Sequence, residues 1–376
     1  MKWEKVKLGN VTDSCLGKML DQNKNKGDYQ PYLANVNVRW GEFDLEDLPL
    51  MKFEESEQER YELKYGDLVI CEGGEPGRCA IWKEQIPNMK IQKALHRVRV
   101  HDCLDYRYLF YWFLLAGKTG ELDQYFTGAT IKHMPGQKLK EVVIDKPPLE
   151  IQHRIADILS AYDDLIENNQ KQIKLLEEAA RRLYKEWFVD LRFPGHENTK
   201  IADGVPEGWR RGLLKELISV NYGKDHKKAP DDGNIPVYGS GGLMRKCNKS
   251  LFSGEAVLIP RKGSLNNIMY VDETFWTVDT MFYVTMKQPH TAVFVYFFVK
   301  AFDMYSMNIG AAVPSMTTKI LDAMDVVIPD KETLEKFDKC AKTYFSKIKT
   351  LQGQNERLKT ARNLLLPKLM SGEVEV

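Results

Sequence analysis

Between residues 147 and 194, apolar side chains recur in steps of three and four: Ile151, Ile155, Ile158, Tyr162 and Leu165, then Ile173, Leu176, Ala180, Leu183 and Trp187. That spacing draws one apolar seam along a helix. Pro147 and Pro148 stand at its start, where a helix needs no amide donor, and Pro194-Gly195 closes the far end. At roughly 1.5 Å per residue, about 37 residues make a rod of roughly 55 Å. Few compact domains hold a helix so long. Its seam needs a partner.

The chain supplies one. Leu334, Phe337, Ala341, Phe345, Ile348, Leu351, Leu358, Ala361, Leu365 and Leu369 repeat the same spacing. What precedes each helix also matches. Gly128-Ala129-Thr130, Lys138-Leu139 and Val142-Val143-Ile144 correspond to Gly310-Ala311-Ala312, Lys319-Ile320 and Val326-Val327-Ile328, at an offset of about 183 residues. Solenoid repeats run to roughly 20–50 residues, so this offset marks a duplicated domain. The expected fold class is α+β: two duplicated mixed α/β domains joined by two long helices that pair as an antiparallel coiled coil. The expected boundaries are 1–145, 146–194, 195–330 and 331–376. The pairing seam is expected to run through Ile155, Ile158, Tyr162, Leu165, Asn169, Leu176 and Leu183, against Phe345, Ile348, Leu351, Asn355, Leu358 and Leu365. Asn169 and Asn355 fall near the helix middles; buried, they would fix register, and slightly off the seam they would face solvent.

With 43% apolar and 28% charged residues, the 376-residue chain has the composition of a soluble protein with room for two or three cores. Six scattered cysteines lack the close pairs of a zinc site, and no metal is expected. Free thiols suit a reducing cytoplasm. Met1-Lys2-Trp3-Glu4-Lys5 lacks a signal-peptide apolar run, and the greasiest stretches, 108–116 and 293–299, are too short to span a bilayer. Both are expected to be buried helices.

A net charge of +1 leaves nucleic-acid binding open. Residues 78–140 hold roughly eleven basic against five acidic residues, and 201–270 roughly eleven against seven. In the first globule, Tyr65-Gly66-Asp67-Leu68-Val69-Ile70 predicts a tight turn before a buried strand, followed by the glycine-rich crossing Glu72-Gly73-Gly74-Glu75-Pro76-Gly77-Arg78. Residues 94–100 alternate as a strand, with Arg97 and Arg99 on a solvated face. Lys90, Gln92 and Lys93 join bases to an amide able to pair with adenine, and are expected to contact DNA. In the second globule, residues 252–259 predict the matching strand. Arg261, Lys262, Asn266 and Asn267 in its outgoing loop, with Tyr238, Ser240, Arg245 and Lys246 in a second glycine-rich loop, form the stronger nucleic-acid signal. The same loops also suit hairpin turns with charged tips. Lys132 and His133 are further candidates, matched by Ser315-Met316-Thr317.

No enzymatic motif is evident in the sequence. No phosphate-cradling loop ends in Gly-Lys-Ser/Thr, and Gly239-Ser240-Gly241-Gly242 lacks dinucleotide spacing. Lys146-Pro147-Pro148-Leu149 has neither the carboxamide nor the aromatic ring of an adenine-methylating loop, and the histidines are dispersed. No catalytic residue is expected.

The chain resembles the specificity (S) subunits of type I restriction–modification systems. Lys146-Pro147-Pro148-Leu149-Glu150-Ile151-Gln152 leading into the first helix carries the likeness, with Leu183-Tyr184-Lys185-Glu186-Trp187-Phe188 at its end. Leu365-Leu366-Pro367-Lys368-Leu369-Met370-Ser371-Gly372 carries it in the second copy. There Pro329-Asp330-Lys331-Glu332 departs from the pattern by lacking the glutamine. The resemblance implies that both globules are target-recognition domains for double-stranded DNA. It further implies assembly with two methyltransferase subunits that bind S-adenosylmethionine and with restriction subunits that use ATP, this chain holding no cofactor. A recognition subunit of a related restriction system and a coiled-coil scaffold without DNA affinity are the alternatives.

Overall fold

The computed structural model describes residues 3–19, 21, 25–307 and 315–376. The Gly310-Ala311-Ala312 match lies outside them. The chain divides into two compact units, one of residues 1–168 and 354–376, the other of 169–353. Each holds one globule and part of both long helices.

In the first unit, Glu4–Lys7 pairs antiparallel with Val143–Lys146, so that the strand opening the globule lies beside the strand that leaves it. Between them run a four-stranded sheet, ordered Thr12–Leu16, Leu95–Val100, Leu68–Cys71 and Cys79–Ile81, and a three-stranded sheet, ordered Leu50–Phe53, Asp28–Leu33 and Lys90–Ile91. Helix Tyr106–Thr119 covers the larger sheet, as the apolar run predicts; Asp105 caps it, accepting from Arg107 N and Tyr108 N. Tyr108, Leu109 and Phe113 share its core with Leu68, Ile70 and Val98.

The second unit repeats the plan. Arg210–Leu213 pairs with Asp325–Ile328, and helix Ala292–Lys300 packs on a six-stranded sheet. That sheet is ordered Ile218–Tyr222, Met281–Met286, Phe252–Pro260, Met269–Thr277, Ile235–Gly239 and Gly242–Cys247.

The long helices are Leu149–Tyr184 and Lys331–Met370. In the first unit, Ile155, Ala156 and Leu159 share a core with Leu366, Leu369 and Met370, and Arg362 pairs with Asp163. In the second, Ala180, Tyr184 and Trp187 share a core with Leu334, Phe337 and Ala341. In both units the start of one helix thus lies along the end of the other, which is antiparallel packing.

Two details of the expected seam are corrected. Ile158 and Leu165 are 38% and 53% exposed, whereas Leu159 and Ile166 are buried. The inward set runs Ile155, Leu159, Tyr162, Ile166, Asn169, Ile173, Leu176 and Ala180, which are buried or half-buried. Each misplaced residue adjoins an apolar neighbour, so three-four spacing alone fits either choice. Asn169 and Asn355 are 7% and 6% exposed. The helix also ends short of Pro194. A π-helical turn, Lys185–Val189, follows Tyr184 and brings Trp187 and Phe188 onto Phe337, with ring centroids 5.8 and 4.8 Å away.

The missing glutamine has a structural counterpart. Gln152 is wholly buried; its Oε1 accepts from Asp105 N (2.8 Å), and its Nε2 donates to Pro147 O (2.8 Å) and Cys103 O (3.2 Å). In the second unit Asp330 fastens the helix start instead, accepting from Trp209 Nε1 (2.9 Å), Thr333 N (2.9 Å) and Thr333 Oγ1 (2.7 Å). No described helix is long and apolar enough to cross a membrane.

Candidate nucleic-acid interface

Strand Leu68–Cys71 is buried at every position. The loop that leaves it is held to the sheet by Glu72 N, which donates to Ala94 O at 2.8 Å, and by Gly77 N, which donates to Cys71 O at 3.0 Å. It is also joined to the segment ahead of helix Gly136–Glu141: Gly73 bridges His133, and Met134 N donates to Glu72 O at 2.7 Å. Gly73 lets the His133 ring come close, since a Cβ there would stand 2.8 Å from its Nδ1 and push it away. Thr127 and His133 exchange backbone hydrogen bonds, so residues 128–132 project as a tip with Ile131 (65% exposed) and Lys132. A groove of about 590 Å³ lies between this tip, Trp40 and Glu75. Trp40 Nε1 donates to Glu75 Oε1 (2.7 Å), and Arg78 holds Glu75 Oε2 (2.9 Å) and Asn35 O (2.9 Å).

Next to the tip lies His96, 1% exposed, its Nε2 2.9 Å from Met134 O. Burial holds its pKa below the usual 6.5, against the opposing pull of that hydrogen bond. The ring is therefore neutral at pH 7, and Nε2 donates.

The second unit rebuilds this junction with other side chains. Lys262 bridges Ser315, and Met316 N donates to Arg261 O at 3.0 Å, as Met134 does to Glu72. Tyr305 hydroxyl donates to Gly263 O (3.0 Å) and accepts from Leu265 N (3.2 Å). Asn267 Nδ2 donates to Ser240 O (2.9 Å), seating the glycine-rich turn of the hairpin against the loop. The structure thus brings Ser240, Lys262 and Asn267 together, and Lys132 and His133 to the loop of 72–78.

The remaining expected contacts divide between side chains engaged within the fold and side chains left exposed. Lys90 is wholly buried and pairs with Glu62 at 2.9 Å, so its charge is spent inside the fold. Gln92 is half-buried with its backbone in the sheet, and Lys93 beside it is exposed. Asn266 is exposed, but its amide is tied to the fold, donating to Asp303 Oδ1 (2.9 Å) and accepting from Met304 N (2.8 Å). Tyr238 donates its hydroxyl to Glu273 at 2.5 Å. Arg245 is turned inward onto the carbonyls of His226 and Ala229 and onto Asp231, whereas Lys246 and Lys262 are exposed. Arg261 donates to Asp279 O at 3.1 Å and lies over the Tyr222 ring. Arg97 and Arg99 form no solvated face. Arg97 donates to the carbonyls of Glu59 (3.1 Å) and Arg60 (2.8 Å), and Arg99 grips the buried Asp67 with two bonds of 2.8 and 2.7 Å. Much of the basic excess counted along the first globule is thus neutralised internally. Among the described residues, no three His, Cys, Asp or Glu side chains are placed to hold a metal ion.

The profile of the type I restriction modification DNA specificity domain matches residues 1–178 and 206–360. The chain belongs to this family. Each matched block begins in a globule and runs into its long helix, so the family's repeat and the duplication coincide. Similar members of the specificity-subunit family include the MjaIX specificity subunit of Methanocaldococcus jannaschii. It is 27% identical over 352 residues, covering 83% of this chain and 78% of that one. The HindI specificity subunit of Haemophilus influenzae is 20% identical over 480 residues, with 99% of both chains covered. The crystal structure of a type I S subunit from M. genitalium superposes with a TM-score of 0.60 at 18% identity, covering 98% of this chain and 96% of that one, and shares the specificity-subunit fold.

Proposed function

We propose that this chain is the sequence-reading component of a type I restriction–modification complex. Its recognition domains are residues 1–145 and 195–330, and its spacers are 146–194 and 331–376. Each domain reads one part of a bipartite target. The target is asymmetric because the two loop junctions carry different side chains. The chain has no catalytic residue of its own and brings two methyltransferase subunits and the restriction subunits to DNA; S-adenosylmethionine and ATP belong to those partners. One observation supports this above the rest. Both units present the same backbone junction, Glu72 with Met134 and Arg261 with Met316, and dress it with unlike polar and basic groups. A shared backbone scaffold with differing side chains suits reading two different short sequences.

Methylome sequencing of the host with and without this chain tests it. A two-part adenine-methylation motif lost on deletion is the expected result. An unchanged methylome, with no salt-dependent DNA affinity of the assembled complex, would leave the scaffold alternative standing.

A further inference from the structure

Strands Ile235–Gly239 and Gly242–Cys247 form a hairpin at the edge of the second unit's sheet. Past its turn stand Leu243 and Met244, 59% and 54% exposed. Folds usually blunt exposed edges with charge, so two large apolar side chains at the tip call for a purpose. Gly241 in the turn adds a second observation. A Cβ there would meet nothing within 4 Å, and its φ lies outside the left-handed range. Nothing in the fold requires glycine at this position; a ligand approaching the backbone closely would.

Arg245 supplies a third. Its guanidinium donates to Ala229 O (2.7 Å) and His226 O and pairs with Asp231, tying the loop of 224–231 to the hairpin. Asn248 N reinforces the tie by donating to Pro230 O at 3.2 Å. Asp225 accepts from Lys227 N at 3.0 Å and shapes the turn. Lys224, Lys227 and Lys228 stand exposed on this arch, and none is in an ion pair among the described residues.

Building on DNA recognition as the function, we propose that this hairpin is the element of the second unit that enters the major groove. Leu243 and Met244 reach base edges there, and the lysine arch grips the adjoining phosphates. The major groove is about 12 Å wide, admits a two-stranded ribbon, and displays the thymine methyl to apolar side chains. Lysines on phosphates fix position without reading sequence. Arg245 is a positioning residue: it touches no DNA and holds Lys227 and Lys228 in place.

The test uses the full chain assembled with its methyltransferase partners. The probes are a fluorescent duplex carrying the methylome motif and a scrambled duplex, titrated across a range of salt concentrations. Gly241→Ala should leave melting unchanged and lower affinity for the motif duplex at least tenfold, with little effect on the scrambled one. Leu243→Ser should weaken discrimination between the two. Lys227→Gln with Lys228→Gln should flatten the slope of log affinity against log salt by about 1.8, from about 0.9 per phosphate contact, on both duplexes alike. Arg245→Gln should reproduce that flattening and add little to the double lysine variant. An unaltered motif affinity in Gly241→Ala and Leu243→Ser, or an unaltered slope in the lysine pair, overturns the proposal while DNA recognition stands. A wild-type complex unable to tell the two duplexes apart overturns both.

Discussion

At Lys90 the ammonium group is enclosed entirely and faces Glu62, itself 29% exposed, at 2.9 Å. Lys90→Ala should destabilise the first unit by about 2 kcal/mol. That is less than the roughly 3–5 kcal/mol of a fully buried pair, because Glu62 keeps some access to water. Thermal melting checks this, and DNA affinity of the folded variant should match wild type. His96 offers a pH-dependent counterpart. Its folded pKa lies below the unfolded value near 6.5 because burial disfavours the charged ring. The unfolded chain therefore binds the proton more readily. The contribution is fully present above pH 6.5 and is lost as pH falls towards and through the folded value. Melting temperatures measured down that range should decline less steeply in His96→Gln, which keeps an amide donor for Met134 O.

At the scale of elements, the long helices test which apolar residues carry the packing. Leu159→Ala and Ile166→Ala should each cost about 2–4 kcal/mol, and Ile158→Ala and Leu165→Ala under about 0.5, in chemical denaturation. Larger losses at Ile158 and Leu165 than at Leu159 and Ile166 would restore the seam expected from sequence. The helices, their antiparallel packing, the buried strands Leu68–Cys71 and Phe252–Pro260 and the helix Tyr106–Thr119 were legible because long periodic or wholly apolar runs leave few alternatives. The phase of the seam was not, since Ile158-Leu159 and Leu165-Ile166 offer two apolar choices in succession. The candidate site was legible as to loops but poorly as to side chains. Sequence shows that Lys90, Asn266 and Arg245 are polar; only the fold shows that Glu62, Asp303 and the carbonyls of His226 and Ala229 already occupy them. The lysines of the 224–228 arch are hard to single out from sequence because a short basic loop looks like any solvated turn. Their one sequence signal was density, three lysines and a histidine within five residues.

For the molecule as a whole, if the paired spacer helices set the distance between the two recognition domains, the tolerated gap between the half-sites follows helix length. Inserting seven residues, about two turns, at facing positions of both long helices keeps the seam in phase and adds roughly 10 Å. Methylome motifs of such a variant should show a gap longer by about three base pairs, at 3.4 Å each; an unchanged gap would sink the spacing role.

The first unit is discontinuous: it needs Leu366, Leu369 and Met370 beside Ile155, Ala156 and Leu159, whereas the second is one unbroken segment. On the ribosome, the globule made first must therefore wait with an uncovered apolar strip while all of the other is synthesised. A stop codon after residue 353 should spare the later half and send the earlier one to proteases.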